Sequence, residues 1–212
     1  MNMLKFTDDE HDLLKEVFNM AMGQAGKALA TLLNEFVDLA VPDIKLVEAE
    51  KVVETILEYS VFDEEEDIVT FQQSFSNQHL NGVTIVVFDD KTRHNISGIL
   101  GMEDKMDSVG ELDFMNELSN ILVGACINNI SEQLFNQSMS FMKPDLIAEG
   151  ISLREMVYST FMRTKLKWRY TLLVKISLFL KEKSFKCDLI VFMSEKDTEV
   201  ILKSIQELMP DD

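Results

Sequence analysis

The chain is 212 residues long, 46% hydrophobic, and carries 37 acidic against 20 basic side chains, a formal charge of −17 at pH 7. That length and apolar content suit one large domain or two intimately packed halves, not a disordered chain. The charge argues against nucleic acid, whose phosphates would be repelled and whose binding normally rests on Lys and Arg clusters.

The first predicted element is a long helix opened by the capping box Thr7-x-x-Glu10. It runs into a short extended piece containing Pro42, followed by a second helix from about Glu48 to Tyr59. The run Asp63-Glu64-Glu65-Glu66-Asp67 holds too many like charges to pack and reads as a solvated loop. Two strands come next, Ile68 to Phe75 and Val83 to Phe88, with Gly82 marking the hairpin turn, and a closing helix spans about Lys91 to Leu100.

A second long helix begins near the capping box Ser108-x-x-Glu111 and again runs into an extended piece with a proline, Pro144. The box Ser152-x-x-Glu155 opens a helix to about Met162. Arg163 to Tyr170 interleaves basic and aromatic residues, but reads better as a helix-to-strand connector with charged edges than as a nucleic-acid patch. Strands Tyr170 to Leu180 and Phe185 to Met193, with a turn at Lys181 to Ser184, lead to a last helix, Glu195 to Leu208, capped by Ser194.

The order helix, strand, helix, strand, strand, helix thus occurs twice, which divides one domain into two repeats, 1–106 and 107–212. Residues 1–106 hold 8 basic and 21 acidic side chains against 12 and 16 in 107–212, so the acidic excess sits mainly in the first half. Neither half alone has apolar surface to spare. The expected fold is α/β of the α+β type, with two pseudo-two-fold related halves packed around a largely antiparallel sheet and the long helices exposed.

The longest strand-like apolar run, Thr171 to Leu180, contains Lys175 and falls far short of the roughly 20 residues a membrane span needs. The start MNMLKFTDDEHD turns acidic where a secretory leader would become apolar. A cytoplasmic protein without membrane contact is expected. Cys126 and Cys187 form no C-x-x-C pair and read as reduced, buried thiols. His11, His79 and His94 are scattered without metal-ligand spacing, so no metal site is expected. Of the 13 methionines, Met20, Met22, Met115 and Met162 lie beside apolar helix residues and read as core filling.

The most informative pattern emerges from comparing the halves. Asp12-x-x-x-Glu16-x-x-Asn19-x-x-x-Gly23 returns as Asp113-x-x-x-Glu117-x-x-Asn120-x-x-x-Gly124, at an offset of 101 residues without a gap. On a helix, taking Asp12 as zero, Glu16 falls at about 40°, Asn19 at about −20° and Gly23 at about 20°. Leu14, Val17, Phe18, Ala21, Ala25, Ala28 and Leu32 lie opposite, as do Met115, Leu118, Leu122 and Cys126 in the second copy. Asn129 is the one polar residue on that second apolar arc. The motif therefore faces away from the core. One such stripe would be an ordinary solvated face, but Asn and especially Gly are poor mid-helix residues, and Gly costs up to about 1 kcal/mol relative to Ala. A bare Gly one turn beyond Asn leaves room for the backbone of a protein partner.

The D/S-x-x-x-E-x-x-N pattern, present twice, with its flanking segments Asp12 to Leu33 and Asp113 to Leu134, closely resembles the CheC/CheX/FliY phosphatases of bacterial chemotaxis. Two intact motifs make the chain more similar to CheC than to CheX, which has one per subunit, or to FliM, which lacks it. One departure is Ala28-Leu29-Ala30, where CheC-like sequences commonly continue Ala-Leu-Ser. The resemblance implies hydrolysis of the aspartyl phosphate on a CheY-like response regulator, with Asn19 and Asn120 orienting the water and Glu16 and Glu117 pairing with a receiver lysine. Asp12, Gly23, Asp113 and Gly124 would be partner-contacting residues. It further implies that the chain needs no cofactor of its own, that Mg2+ belongs to the response regulator, and that a CheD-like protein is a candidate partner. The alternative is a non-catalytic module that docks a receiver domain, a CheD-like partner or the flagellar switch.

Overall fold

The computed structural model describes residues 5–34, 36–40, 42–99, 106–163, 170–180 and 185–209. Helix α1 (Asp8–Leu33) starts at Thr7, whose hydroxyl accepts from the Glu10 amide while the Glu10 carboxylate accepts from the Thr7 amide. Strands β1 (Val37–Leu39) and β2 (Asp43–Glu48) follow, and a 3-10 turn at Ala49–Lys51 runs into α2 (Val52–Tyr59). The hairpin of β3 (Asp67–Ser76) and β4 (Asn81–Asp89) leads to α3 (Asp90–Ile99). The second half gives α4 (Ser108–Phe135), β5 (Ser140–Phe141), β6 (Asp145–Ser152), α5 (Leu153–Arg163), β7 (Tyr170–Leu180), β8 (Phe185–Ser194) and α6 (Glu195–Leu208).

Three local expectations are corrected. Gly82 does not mark the hairpin turn but pairs with Phe75 inside β4, and the turn is made by residues 77–80, where Asn77 Oδ1 accepts from the amides of His79 and Leu80. Each extended piece after a long helix is two strands, because Pro42 and Pro144 fall between them and proline cannot donate to a ladder. The cap of α4 is Asp107, whose carboxylate accepts from the Gly110 amide at 2.9 Å, and Ser108 is the first helical residue. Asp caps a helix as well as Ser does, so the neighbouring candidates competed on geometry alone. The caps at Ser152 and Ser194 form as expected, accepting from the amides of Glu155 and Asp197. Leu100, residues 164–169 of the basic connector and the turn at 181–184 lie outside the described residues.

The described strands form one eight-stranded antiparallel sheet in the order β1-β7-β8-β4-β3-β5, with β2 also on β7 and β6 also on β3. Its centre is the β4–β8 ladder, in which Ile85 pairs with Ile190 and Val86 with Leu189. A pseudo-two-fold axis between Ile85 and Ile190 exchanges one hairpin with the other. The short strands cross over: β1 and β2 of the first half pair with β7 of the second, and β5 and β6 of the second pair with β3 of the first.

Side chains alternate along each strand and supply two cores. Val86, Phe88, Leu189 and Val191 pack beneath α1, α4 and α6 with Leu14, Phe18, Leu118 and Leu122. Ile85, Val87, Ile190 and Phe192 face the other way, against α2 and α5 with Ile56, Leu153 and Val157. Of the expected arcs, Leu14, Val17, Phe18, Ala21 and Ala25 on α1 and Met115, Leu118, Leu122 and Cys126 on α4 are buried, while Ala28 and Leu32 are half-buried; Asn129 resolves its anomaly by donating to the Ala125 carbonyl at 2.7 Å. Met22 and Met115 are core residues, whereas Met20 is 51% exposed.

The acidic run is a surface turn, as expected, but it is fastened to the second half of the chain. Arg154 pairs with Glu64 and Glu65, Lys186 pairs with Glu66 at 3.2 Å, and the carbonyls of Glu66 and Glu64 accept from the first amides of α5, Leu153 and Arg154. Basic partners and unsatisfied helix-start amides outweigh the like-charge repulsion. Cys126 and Cys187 are buried free thiols, and burial pushes Cys126 up to about 12 and Cys187 well above its usual range. Among the described residues, no helix is long and apolar enough to cross a membrane.

Candidate functional site

Both motifs lie on the outer faces of α1 and α4, two helices that pack against each other where Cys126 Sγ meets Met22 Sδ at 3.5 Å. On α1, Asp12, Glu16, Asn19 and Gly23 are all exposed. None of the three polar side chains has a hydrogen-bond or ion-pair partner among the described residues. A β-carbon built on Gly23 would meet nothing within 4 Å. The α1 motif is thus an open stripe, with a neutral amide and two carboxylates directed outward and the exposed Met20 beside them.

The α4 motif has the same sequence but a different environment. Asp113 and Glu117 are exposed, and Gly124 again has nothing within 4 Å of a built β-carbon. Asn120, however, is only partly exposed, and its Oδ1 accepts from Gln73 Nε2 at 2.9 Å. Gln73 lies on β3, is 1% exposed, and donates from the same nitrogen to the Met142 carbonyl at 2.8 Å. A carbonyl can only accept, so the Gln73 atom facing Met142 must be the amide nitrogen, and Asn120 must then present its oxygen.

Among the described residues, the α1 motif has no equivalent tie. The two-fold axis exchanges Thr84 with Leu189; Thr84 pairs with Gln73, whereas Leu189 pairs with Ile176. Where β3 carries an amide, β7 carries an aliphatic side chain. The expected site residues therefore form two separate stripes, and no hydrogen bond or ion pair among the described residues joins one to the other. Gln73 is the residue that sequence reasoning missed. Its signal was present, since it is the one polar member of the core-facing series Val69, Phe71, Gln73, Phe75.

No protein-family model matches the sequence. Among solved structures, FliY of Thermotoga maritima superposes with a TM-score of 0.68 at 16% identity over 97% of this chain and 100% of that one. The chain has the CheC/CheX/FliY fold. The FliM middle domain of H. pylori shares that fold with a TM-score of 0.56, at 11% identity over 94% of this chain and 99% of that one. CheX of Desulfovibrio desulfuricans gives 0.55 at 14% identity, over 84% and 99%. At these identities the likeness is one of fold. Within the CheC/CheX/FliY fold, α1 and α4 are the helices that carry this chain's duplicated Asp/Glu/Asn/Gly stripe.

Proposed function

We propose that this chain is a CheC-like phosphatase that hydrolyses the aspartyl phosphate of a CheY-like response regulator and so terminates a chemotaxis or related two-component signal. The reading rests on one observation above the others: Asn19 is an exposed carboxamide on a long helix, one turn from Glu16, and neither side chain has a partner among the described residues. Acyl-phosphate hydrolysis asks little else of a protein. A water must sit in line with the bond between phosphorus and the aspartyl oxygen, and charge on the phosphoryl oxygens must be neutralised. As water attacks, that bond breaks, the aspartate leaves as a carboxylate, and inorganic phosphate carries away the oxygen of water.

A carboxamide does not titrate near neutral pH, so Asn19 orients the water through its Oδ1 without acting as a strong base. Glu16, three residues before it on the same face, forms an ion pair with a receiver lysine and fixes where the amide lands. Asp12 and Gly23 border the same stripe and make contact with the partner. Glu117 and Asn120, with Asp113 and Gly124, form the second copy. In this reading the chain is a cytoplasmic domain of two repeats, 1–106 and 107–212, that takes no cofactor of its own, since Mg2+ travels with the receiver. A CheD-like protein is the further candidate partner.

The test is direct. A CheY-like receiver is phosphorylated with acetyl phosphate, the donor is removed, and loss of the aspartyl phosphate is followed with wild type and with an Asn19→Ala/Asn120→Ala double variant. Acceleration by wild type and none by a double variant that still binds supports the phosphatase. Binding by wild type with unchanged decay would favour the rival reading, a docking module without catalysis, which the fold shared with FliM makes worth testing.

Glycine in the stripe supplies an independent prediction. Because Gly23 sits in a helix interior with open space around it, Gly23→Ala is expected to stabilise the free chain by up to about 1 kcal/mol, read as a higher denaturant midpoint. The same variant should bind the receiver less tightly if a backbone approaches there. Stabilisation with unchanged binding would show that no partner uses the bare patch.

A further inference from the structure

Resting on the phosphatase reading, we propose that Gln73 decides which of the two motifs dominates, by biasing the Asn120 carboxamide toward an orientation that is poor for orienting the attacking water. The argument begins with the amide atoms. Gln73 gives both protons of Nε2 away, one to Asn120 Oδ1 and one to the Met142 carbonyl, so the direction of the tie is set. Gln73 is buried on the sheet, so Asn120 Oδ1 is turned toward the sheet and its Nδ2 is the atom left for a partner.

That exchange of atoms matters to the chemistry. A water about to attack phosphorus needs its own lone pair free, and is steered by giving a proton to an acceptor. A carbonyl oxygen does this. An amide N–H pointed at the water engages the lone pair that must form the new bond. Asn120 Oδ1 keeps a second lone pair, but it lies on an atom aimed inward from a half-buried residue. Asn19 carries no such restraint, and the β7 position equivalent to Gln73 is Ile176, which has no donor. Two motifs with one sequence are thereby made unequal by a strand residue outside both.

The tie has a second end. Met142, which follows β5, donates its own amide to the Ser74 carbonyl, so Gln73 and Ser74 together fasten this segment to β3. Its counterpart, Ala40, donates its amide to the Ser177 carbonyl on β7, and no side-chain tie joins it to β7 among the described residues. The backbone attachment is common to both halves and the side-chain tie is not, which identifies the Gln73 bridge as an addition specific to the α4 motif. Gln73 is accordingly a positioning residue acting through Asn120.

The experiment uses the full chain in an Asn19→Ala background, so that only the α4 motif can act. Gln73→Met keeps length and bulk without a donor, and Gln73→Ile copies the other half of the sheet. Each is expected to raise receiver dephosphorylation about three- to tenfold, the bias that one neutral hydrogen bond imposes on a side chain. The gain should vanish when Asn120→Ala is added. In parallel, the side-chain amide resonances of Asn120 should shift in either variant while those of Asn19 in the otherwise unaltered chain do not. An unchanged or lower rate in variants that melt as single folded species overturns the inference, since Gln73 would then be neutral or would hold Asn120 productively. If wild type leaves receiver decay unchanged, the phosphatase reading itself fails and takes the inference with it, even where the resonances report the bridge intact.

Discussion

An Asn19→Ala chain is expected to lose about tenfold or more of its acceleration of receiver dephosphorylation, whereas Asn120→Ala is expected to lose less than about twofold. Losing one preorganised hydrogen-bonding group aimed at the reacting atoms costs an active site on the order of 100-fold, and the α4 motif supplies the residue that remains. The difference between the variants matters more than either number. Identical motifs read as equivalent by sequence would lose equal amounts, but among the described residues Asn19 has no partner and Asn120 is tied to Gln73. Because Asn19 has no hydrogen-bond or ion-pair partner among the described residues, its replacement removes no such contact, so folding stability should stay near wild type. A large drop in activity accompanied by a large drop in melting temperature would contradict that account.

The second large effect is expected at Glu16. Reversal of its charge in Glu16→Lys should weaken receiver affinity by about 30-fold or more while changing the rate at saturation much less. A hydrogen bond to a charged group is worth roughly 1.5–3 kcal/mol, and a lysine set against the partner's lysine adds repulsion. The necessary control is Glu54→Lys, the same change on the exposed side of α2, away from both motifs. With so much net negative charge, any reversal also acts on association through the overall field. If both variants weaken binding equally, the long-range field is responsible and Glu16 has no specific partner.

Much of this could be read without coordinates. The caps at Thr7, Ser152 and Ser194 defined helix starts, since each acts over a few residues of local chain, whereas Gly82 was misplaced as a turn residue because its need for a bare backbone comes from Phe75 across the ladder. The outward stripe followed from helical periodicity alone. Other features required contacts remote in sequence. The crossing of β1 and β2 onto β7 is invisible to periodicity, which reports which face of a strand is buried but not its neighbour. The ion pairs that fasten the acidic loop were hidden for the same reason, because its partner Arg154 lies about ninety residues away. Gln73 combines both difficulties, being a buried amide whose meaning depends on what packs above it.

The strand crossover bears on how the molecule comes apart. Each half donates two short strands to the other's hairpin, so a chain cut between residues 106 and 107 leaves β3 and β7 with unfilled edges in separate fragments. Neither fragment should persist as a folded monomer, yet mixing the two should regenerate the sheet, as mutual templates do. The intact chain, in turn, should melt in one cooperative step, with neither motif helix able to loosen independently of the other half.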